Sequence, residues 1–152
     1  MWDWIAESWE IGLSPGAASA RLCAALAFGA AIGFEREATH RAAGLRTHML
    51  VSLASALFTI IAFEMYGRLR DSGVTSGADP LRLLEAVTAG VAYLAAGSNL
   101  RDSGGVRGLT TGAGLWLAGA VGMASGYGLY GLAAVSTVLA IVVLALLRLA
   151  KP

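Results

Sequence analysis

Five apolar stretches, each about as long as a bilayer is thick, constrain the fold of this chain more than any other feature. They cover residues 15–34, 45–66, 81–100, 109–126 and 129–147. A helix needs ~20 apolar residues to cross a hydrocarbon core of ~30 Å, so each stretch predicts a transmembrane α-helix. Only 14% of the residues are charged, whereas an average soluble domain has about 25%. The sequence therefore predicts an all-α, polytopic transmembrane bundle of about five spans.

The chain divides into three segments of different character. Residues 1–14 predict an interfacial amphipathic segment, residues 15–148 the transmembrane domain, and residues 149–152 a short cytoplasmic tail. The first segment is amphipathic because its large apolar side chains share one helical face and its acidic side chains another. The residues of the apolar face are Trp2, Ile5, Trp9 and Leu13. Between the fourth and fifth stretches, the run Ser125-Gly126-Tyr127-Gly128 predicts the tight turn of a transmembrane hairpin.

The positions of lysine and arginine predict the orientation in the membrane. With five spans, one side of the membrane holds Arg21, Arg68, Arg70 and Arg82, and the other holds Arg36, Arg41, Arg46, Arg101, Arg107, Arg148 and Lys151. Loops on the cytoplasmic side carry the excess of basic residues. We therefore expect the N-terminus outside and the C-terminus in the cytoplasm.

The charged and nucleophilic residues do not form a recognisable catalytic or metal-binding pattern. The net charge is +1, and no basic cluster is dense enough to neutralise a run of phosphates, so we expect no nucleic-acid partner. His40 and His48 lack further ligands at metal-binding spacing, and the glycines around Arg107 lack the Lys-Ser/Thr ending of a P-loop. The sequence thus predicts no metal site, no catalytic residues and no enzymatic activity, and it requires no cofactor.

Polar side chains recur at helical spacing on the second and third spans. The stripe on the second span consists of His48, Ser52, Ser55, Thr59 and Tyr66, and the stripe on the third consists of Glu85, Thr88, Ala92, Ala96 and Asn99. Because polar groups are costly in lipid, we expect both stripes to face the bundle interior and the leucine and valine faces to contact lipid. Two interpretations stay open, a solute or proton path and a seam of interhelical hydrogen bonds. Glu85 is a functional candidate as an intramembrane carboxylate, and Arg82 three residues before it offers a simple ion pair.

Glycines repeat every three to four residues on two other spans, which is typical of close helix packing. The first span carries Gly29 and Gly33, and the fourth carries Gly112, Gly119 and Gly122. A bundle of this size has few internal helices to cover both glycine faces. We therefore expect a homo-oligomer, most simply a dimer.

Two charged loops lead directly into the second and fourth spans and share the side predicted to be cytoplasmic. We expect their charged and hydroxyl side chains to contact a membrane-protein partner, a lipid headgroup or another anion, since helix N-termini add partial positive charge there. The alternative is a pair of solvated loops that only set the topology. The candidate contacts are Glu35, Arg36, Arg46, Thr47, Asp102, Arg107, Thr110 and Thr111.

Four ordered motifs in and beside these loops resemble the MgtC/SapB family of bacterial inner-membrane proteins. They are Gly-x-Glu-Arg at 33–36, Ala-Gly-Leu-Arg-Thr-His at 43–48, Asp-Pro-x-Arg at 79–82 and Val-Arg-Gly-Leu-Thr-Thr at 106–111, followed by Trp116. The resemblance covers residues 17–147. Some family members carry a cytoplasmic C-terminal domain, whereas this sequence resembles the transmembrane domain alone.

The resemblance implies a multi-pass protein of the bacterial inner membrane that serves adaptation to low magnesium or acid stress. We expect a regulatory or accessory protein that binds membrane partners or lipids. The alternative is a small oligomeric transporter or channel for an ion or small solute, which would use the polar stripes on the second and third spans.

Overall fold

The computed structural model describes residues 12–73, 79–98, 100–102 and 105–149, and these residues contain five helices. The helices are α1 (Pro15–Ala38), α2 (Leu45–Asp71), α3 (Pro80–Gly97), α4 (Leu109–Tyr127) and α5 (Tyr130–Leu149). The predicted all-α bundle is confirmed. Residues 1–11 of the predicted amphipathic segment lie outside the described residues.

A short β-hairpin that the sequence did not predict connects α3 to α4. Strands β1 (Leu100–Asp102) and β2 (Gly105–Arg107) pair antiparallel, with Leu100 opposite Arg107 and Asp102 opposite Gly105. Helix α3 consequently ends at Gly97 rather than at Leu100.

Local sequence signals set several helix ends. Pro15 and Pro80 open α1 and α3, and the preceding Ser14 and Asp79 accept hydrogen bonds from backbone amides in the first turn, as N-cap residues do. Helix α4 ends at Tyr127 and is capped by Gly128, whose φ of 97° places it in the left-handed region that favours glycine. The predicted turn over residues 125–128 is therefore wrong in its bounds, because residues 125–127 are still helical.

Helices α2 and α4 form the centre of the bundle and pack against each other. Helix α1 packs on both of them, α3 lies on their other side, and α5 contacts α1 and α4. The centre is built from small side chains, since Ala25, Ala56, Ala118 and Ala133 are completely buried. Small residues allow the close backbone approach that stabilises helix pairs in a membrane.

The outside of the bundle is apolar. Large side chains are exposed on every helix, among them Phe34, Leu50, Tyr93, Trp116 and Leu139. Two helices, α1 and α2, are by themselves long and apolar enough to cross a bilayer, and shorter apolar segments cover Leu84–Gly97 and Tyr130–Leu146. A surface of this kind suits lipid rather than water.

Candidate functional site

Four polar side chains of α2 form a buried line, here called the polar file, through the centre of the bundle. The polar file consists of His48, Ser52, Ser55 and Thr59, and each side chain is at most 1% exposed. The prediction that these residues face the interior is confirmed. Tyr66, which the sequence placed on the same stripe, is exposed instead.

Most polar groups of the file form hydrogen bonds with backbone carbonyl groups, either one turn earlier in α2 or on the adjacent helix α1. The Ser52 hydroxyl donates to the Ala25 carbonyl of α1 over 2.7 Å, and the Thr59 hydroxyl donates to the Ser55 carbonyl over 2.8 Å. His48 Nδ1 lies 2.9 Å from the Gly44 carbonyl, which favours the tautomer that carries its proton on Nδ1. Among the described residues, His48 Nε2 and Ser55 Oγ have no hydrogen-bond partner.

Glycines of the two flanking helices close the polar file from both sides. A Cβ added at Gly29 of α1 would lie 2.8 Å from the His48 carbonyl oxygen, and one added at Gly33 would lie 3.0 Å from the His48 Cβ. On the α4 side, Gly122 leaves no room for a Cβ beside the Ser52 carbonyl, and an added Cβ at Gly114 would lie 3.2 Å from His48 Nε2. Around His48 and Ser52 the file is therefore packed between helix backbones, whereas Ser55 also lines a cavity of about 330 Å³ between α2 and α3.

This packing corrects the argument from which the sequence predicted a homo-oligomer. Gly29 and Gly33 contact α2 of the same chain, and Gly119 and Gly122 contact α2 and α3 of the same chain. Gly112 is likewise buried. The small chain does cover both glycine faces, because α2 lies between α1 and α4 and uses both.

The connection from α1 to α2 and the helix ends beside it, here called the corner (residues 35–46), are organised by internally paired carboxylates. Glu35 pairs with the adjacent Arg36, whose side chain is buried. Glu37 accepts a hydrogen bond over 3.0 Å from the amide of Leu45, the first residue of α2, which places a negative charge at a helix N-terminus. Gly44 lies against the Glu37 carboxylate, where a Cβ would collide with it.

The exposed side chains of the corner include two arginines. Arg41 and Arg46 are exposed, as are His40 and the single carboxylate of Glu37. His40 also has a left-handed backbone, with a φ of 52°, which is uncommon for a residue other than glycine. The corner therefore presents net positive charge on its outer surface.

The second predicted loop lies at the same end of the bundle as the corner. Ala43 of the corner packs in one buried cluster with Ala95 near the end of α3 and Leu115 near the start of α4. Thr111 is buried, Thr110 is exposed and Thr47 is half-buried. The backbones of Asp102 and Arg107 belong to the β-hairpin at this end.

The predicted orientation of α3 is wrong within this chain. Glu85, Ala92 and Ala96 are exposed rather than buried in the bundle, and Thr88 is only partly buried. Val91 packs instead against the buried cluster, with its methyl groups 3.1 Å from where a Gly119 Cβ would lie. The branched valine side chain fills the space that the α4 glycine leaves, so packing decides the orientation. Asn99 lies outside the described residues.

Two charged residues that sequence reasoning did not single out hold the other end of the bundle together. Arg21 donates to the Gly126 carbonyl over 2.9 Å and so places a cation at the C-terminal end of α4. Glu64 of α2 accepts from the backbone amides of Gly12 and Leu13, at 2.7 and 3.1 Å. A lone arginine inside an apolar stretch was the available signal for the first contact.

The described residues offer little for metal chemistry. No group of three or more histidine, cysteine, aspartate and glutamate side chains in the described ranges is arranged to hold a metal ion. Cys23 is exposed on α1 and unpaired. The arrangement instead provides a buried polar file, a cationic corner and an outward polar face on α3.

Comparison with known proteins gives one consistent result. The sequence pattern of the MgtC family matches residues 22–151. Protein MgtC of Brucella abortus (strain 2308) is 41% identical over 130 residues, which is 86% of this chain and 51% of that protein. YhiD of Escherichia coli (strain K12), provisionally named a magnesium transporter, is 40% identical over 123 residues, 81% of this chain and 56% of that protein.

A relative of lower sequence identity matches a similar share of the chain. Protein MgtC of Salmonella typhimurium (strain 14028s / SGSC 2262) is 36% identical over 127 residues, 84% of this chain and 51% of that protein. The chain thus spans about half the length of the curated relatives it matches. No solved structure matches significantly.

Proposed function

The chain belongs to the MgtC family, and from this premise we propose that it is a regulatory or accessory protein of the bacterial inner membrane that acts by binding membrane partners or lipids. In this proposal it has no enzymatic activity and serves adaptation to low magnesium or acid stress. Its N-terminus lies outside, and the corner and the β-hairpin face the cytoplasm.

The packing of the polar file is the observation that carries this proposal. A path for a hydrated ion needs a continuous wet gap, whereas backbone of α1 and α4 lies against the file near Ser52, at Gly29 and at Gly122. The third-span stripe, which would complete such a path, faces outward. Both features support a seam between helices rather than a conduit.

The cationic corner supplies the binding surface in this proposal. Arg41 and Arg46 are exposed, whereas the nearby carboxylates of Glu35 and Glu37 are engaged within the chain. Basic side chains beside the cytoplasmic leaflet are each attracted to anionic lipid by about 1 kcal/mol. We infer that the phosphate of an anionic phospholipid headgroup occupies this surface.

A lipid-binding measurement tests the binding half of the proposal. The purified protein would be placed in nanodiscs that contain both phosphatidylglycerol and phosphatidylcholine. When native mass spectrometry releases the protein from the nanodiscs, we expect it to keep bound phosphatidylglycerol in preference to phosphatidylcholine. Arg41→Gln combined with Arg46→Gln should remove that preference. Arg70→Gln, an exposed arginine near the other end of the bundle, is the matched control and should keep it. Equal retention by both variants would contradict the proposal.

A flux measurement tests the other half. Liposomes that contain the folded protein are expected to show no more uptake of Mg²⁺, K⁺ or H⁺ than protein-free liposomes, while an added ionophore reports intact vesicles. Protein-dependent uptake of any of the three ions would contradict the proposal.

A transporter is the second candidate function, and one observation favours it. His48 Nε2 and Ser55 Oγ are buried without a partner among the described residues, and such groups carry a desolvation cost that a transported solute or proton would relieve. The provisional name of the Escherichia coli relative points the same way. For this candidate, uptake should be present in the wild-type protein and lost on His48→Ala.

A further inference from the structure

The outward face of α3 carries an arginine and a glutamate that nothing in the described structure neutralises. Arg82 and Glu85 are both exposed. Neither side chain has an ion pair or hydrogen bond within the described ranges. Glu85 lies five residues after the first residue of α3, about 7.5 Å along the helix axis, at the start of the apolar segment Leu84–Gly97. A carboxylate at that depth is unfavourable without a partner.

The two residues are poorly suited to neutralise each other. The favourable order on a helix places the acidic residue before the basic one, and here the arginine comes first. Arg82 also lies in the first turn of α3, where the helix dipole disfavours a cation. Both side chains would gain from a partner that approaches α3 from outside.

The same face of α3 allows another helix to come close. Ala89, Ala92 and Ala96 follow Glu85 along this face at helical spacing and are exposed. An open groove of about 780 Å³ runs beside these alanines. It is lined by Glu85 and Thr88 of α3 and by Trp116 of α4. Alanines at intervals of three to four residues let helix backbones approach in a membrane, and the rim residues add polar and aromatic contacts.

We propose that a second copy of this chain occupies this face, in a dimer whose twofold axis is parallel to the membrane normal. Two copies in one membrane have the same orientation, so their α3 helices are parallel. Glu85 of one copy then faces the partner subunit's Arg82, and Arg82 faces the partner subunit's Glu85. The two residues differ by about 4.5 Å along the axis, a separation that long side chains bridge.

Self-complementarity is what selects a second copy as the occupant. A twofold interface presents the same patch on both sides, so each charge must find its opposite within its own patch. The pair Arg82 and Glu85 meets this condition, and Ala89 and Ala92 between the two helices leave space for the contact. The dimer is independent of the proposed binding of lipid at the corner.

Site-directed cross-linking tests the position of the interface. In a Cys23→Ser background, Ala89→Cys should form a disulfide-linked dimer in native membranes under mild oxidation. Leu139→Cys, equally open to lipid but on α5, is the matched control and should stay monomeric. A monomeric Ala89→Cys protein, a product with the mass of another protein, or equal cross-linking at Leu139→Cys would overturn the proposal.

Charge exchange tests the ion pairs and separates them from misfolding. Arg82→Glu and Glu85→Arg, each in the Ala89→Cys background, should each lose dimer formation several-fold because four like charges meet. When the two variants are coexpressed with different tags, a mixed dimer should form, since every contact again joins opposite charges. Failure of the mixed dimer to exceed the two homodimers would overturn the proposal.

Discussion

Gly122 of α4 lies directly over the backbone carbonyl of Ser52 in α2, with no room for a side chain between the two helices. Four residues further, a Cβ added at Gly126 would lie 2.5 Å from the Ala56 carbonyl oxygen. The central helices therefore meet backbone to backbone for at least one full turn. Ser52 of the polar file lies in this contact, so its surroundings are set by glycine, whereas Ser55 lies near side chains of α3.

Replacing Gly122 should destabilise the bundle although alanine favours helix. A Cβ at this position forces α2 and α4 apart, and overpacking of this kind costs roughly 1–3 kcal/mol. We expect Gly122→Ala to lower the temperature of thermal unfolding in detergent, measured by circular dichroism.

Gly131 of α5 is the matched control for that substitution, because a Cβ added there meets nothing within 4 Å. Gly131→Ala should be neutral or stabilising by up to about 1 kcal/mol, the advantage of alanine in a helix. Equal melting temperatures of the two variants would show that α2 and α4 are not in backbone contact.

The two serines of the polar file should differ in how much stability the protein loses on replacement by alanine. Ser52→Ala removes the hydrogen bond to the Ala25 carbonyl and should cost about 0.6 kcal/mol, the average for such bonds in membranes. Ser55→Ala removes a hydroxyl with no partner in the described structure, so it should be neutral or stabilising. Denaturant unfolding in mixed micelles measures both. A larger loss of unfolding free energy for Ser55→Ala than for Ser52→Ala would mean that the Ser55 hydroxyl forms a hydrogen bond.

Glu37 should protect the first turn of α2 from opening. Glu37→Ala leaves the Leu45 amide without its acceptor, and loss of such a cap costs about 1 kcal/mol. Hydrogen exchange at residues 45–47 is expected to accelerate. Glu37→Gln retains an oxygen acceptor, so the amides of residues 45–47 should exchange more slowly in this variant than in Glu37→Ala. Unchanged exchange in Glu37→Ala would exclude this role for the carboxylate.

The inward face of α2 was predictable from the sequence, whereas that of α3 was not. On α2, the spacing of His48, Ser52, Ser55 and Thr59 matches one helical face, and hydrocarbon penalises such groups strongly enough to decide the orientation. On α3, leucines and valines are as stable in lipid as in the core. Packing of Val91 against Gly119 therefore decides the orientation, and this pairing involves residues far apart in the sequence.

The glycines of α1 and α4 show a second limit of prediction from the sequence. Their spacing correctly indicated close helix contacts, but it does not specify the helix that makes them. Gly29 and Gly122 both contact α2 of the same chain, and only the three-dimensional order of the helices determines this. The contact of Arg21 with the Gly126 carbonyl is hidden for the same reason, since the two residues lie 105 positions apart.

Water access to the polar file tests the central claim, that the file is a closed seam, most directly. In a Cys23→Ser background, Ser52→Cys and Thr59→Cys proteins in native membranes would be treated with a charged, membrane-impermeant thiol reagent from both sides. We predict no labelling at either position and rapid labelling of Ala42→Cys, which is exposed at the corner. Labelling of Ser52→Cys and Thr59→Cys at rates near that of Ala42→Cys would contradict the account and favour a conduit.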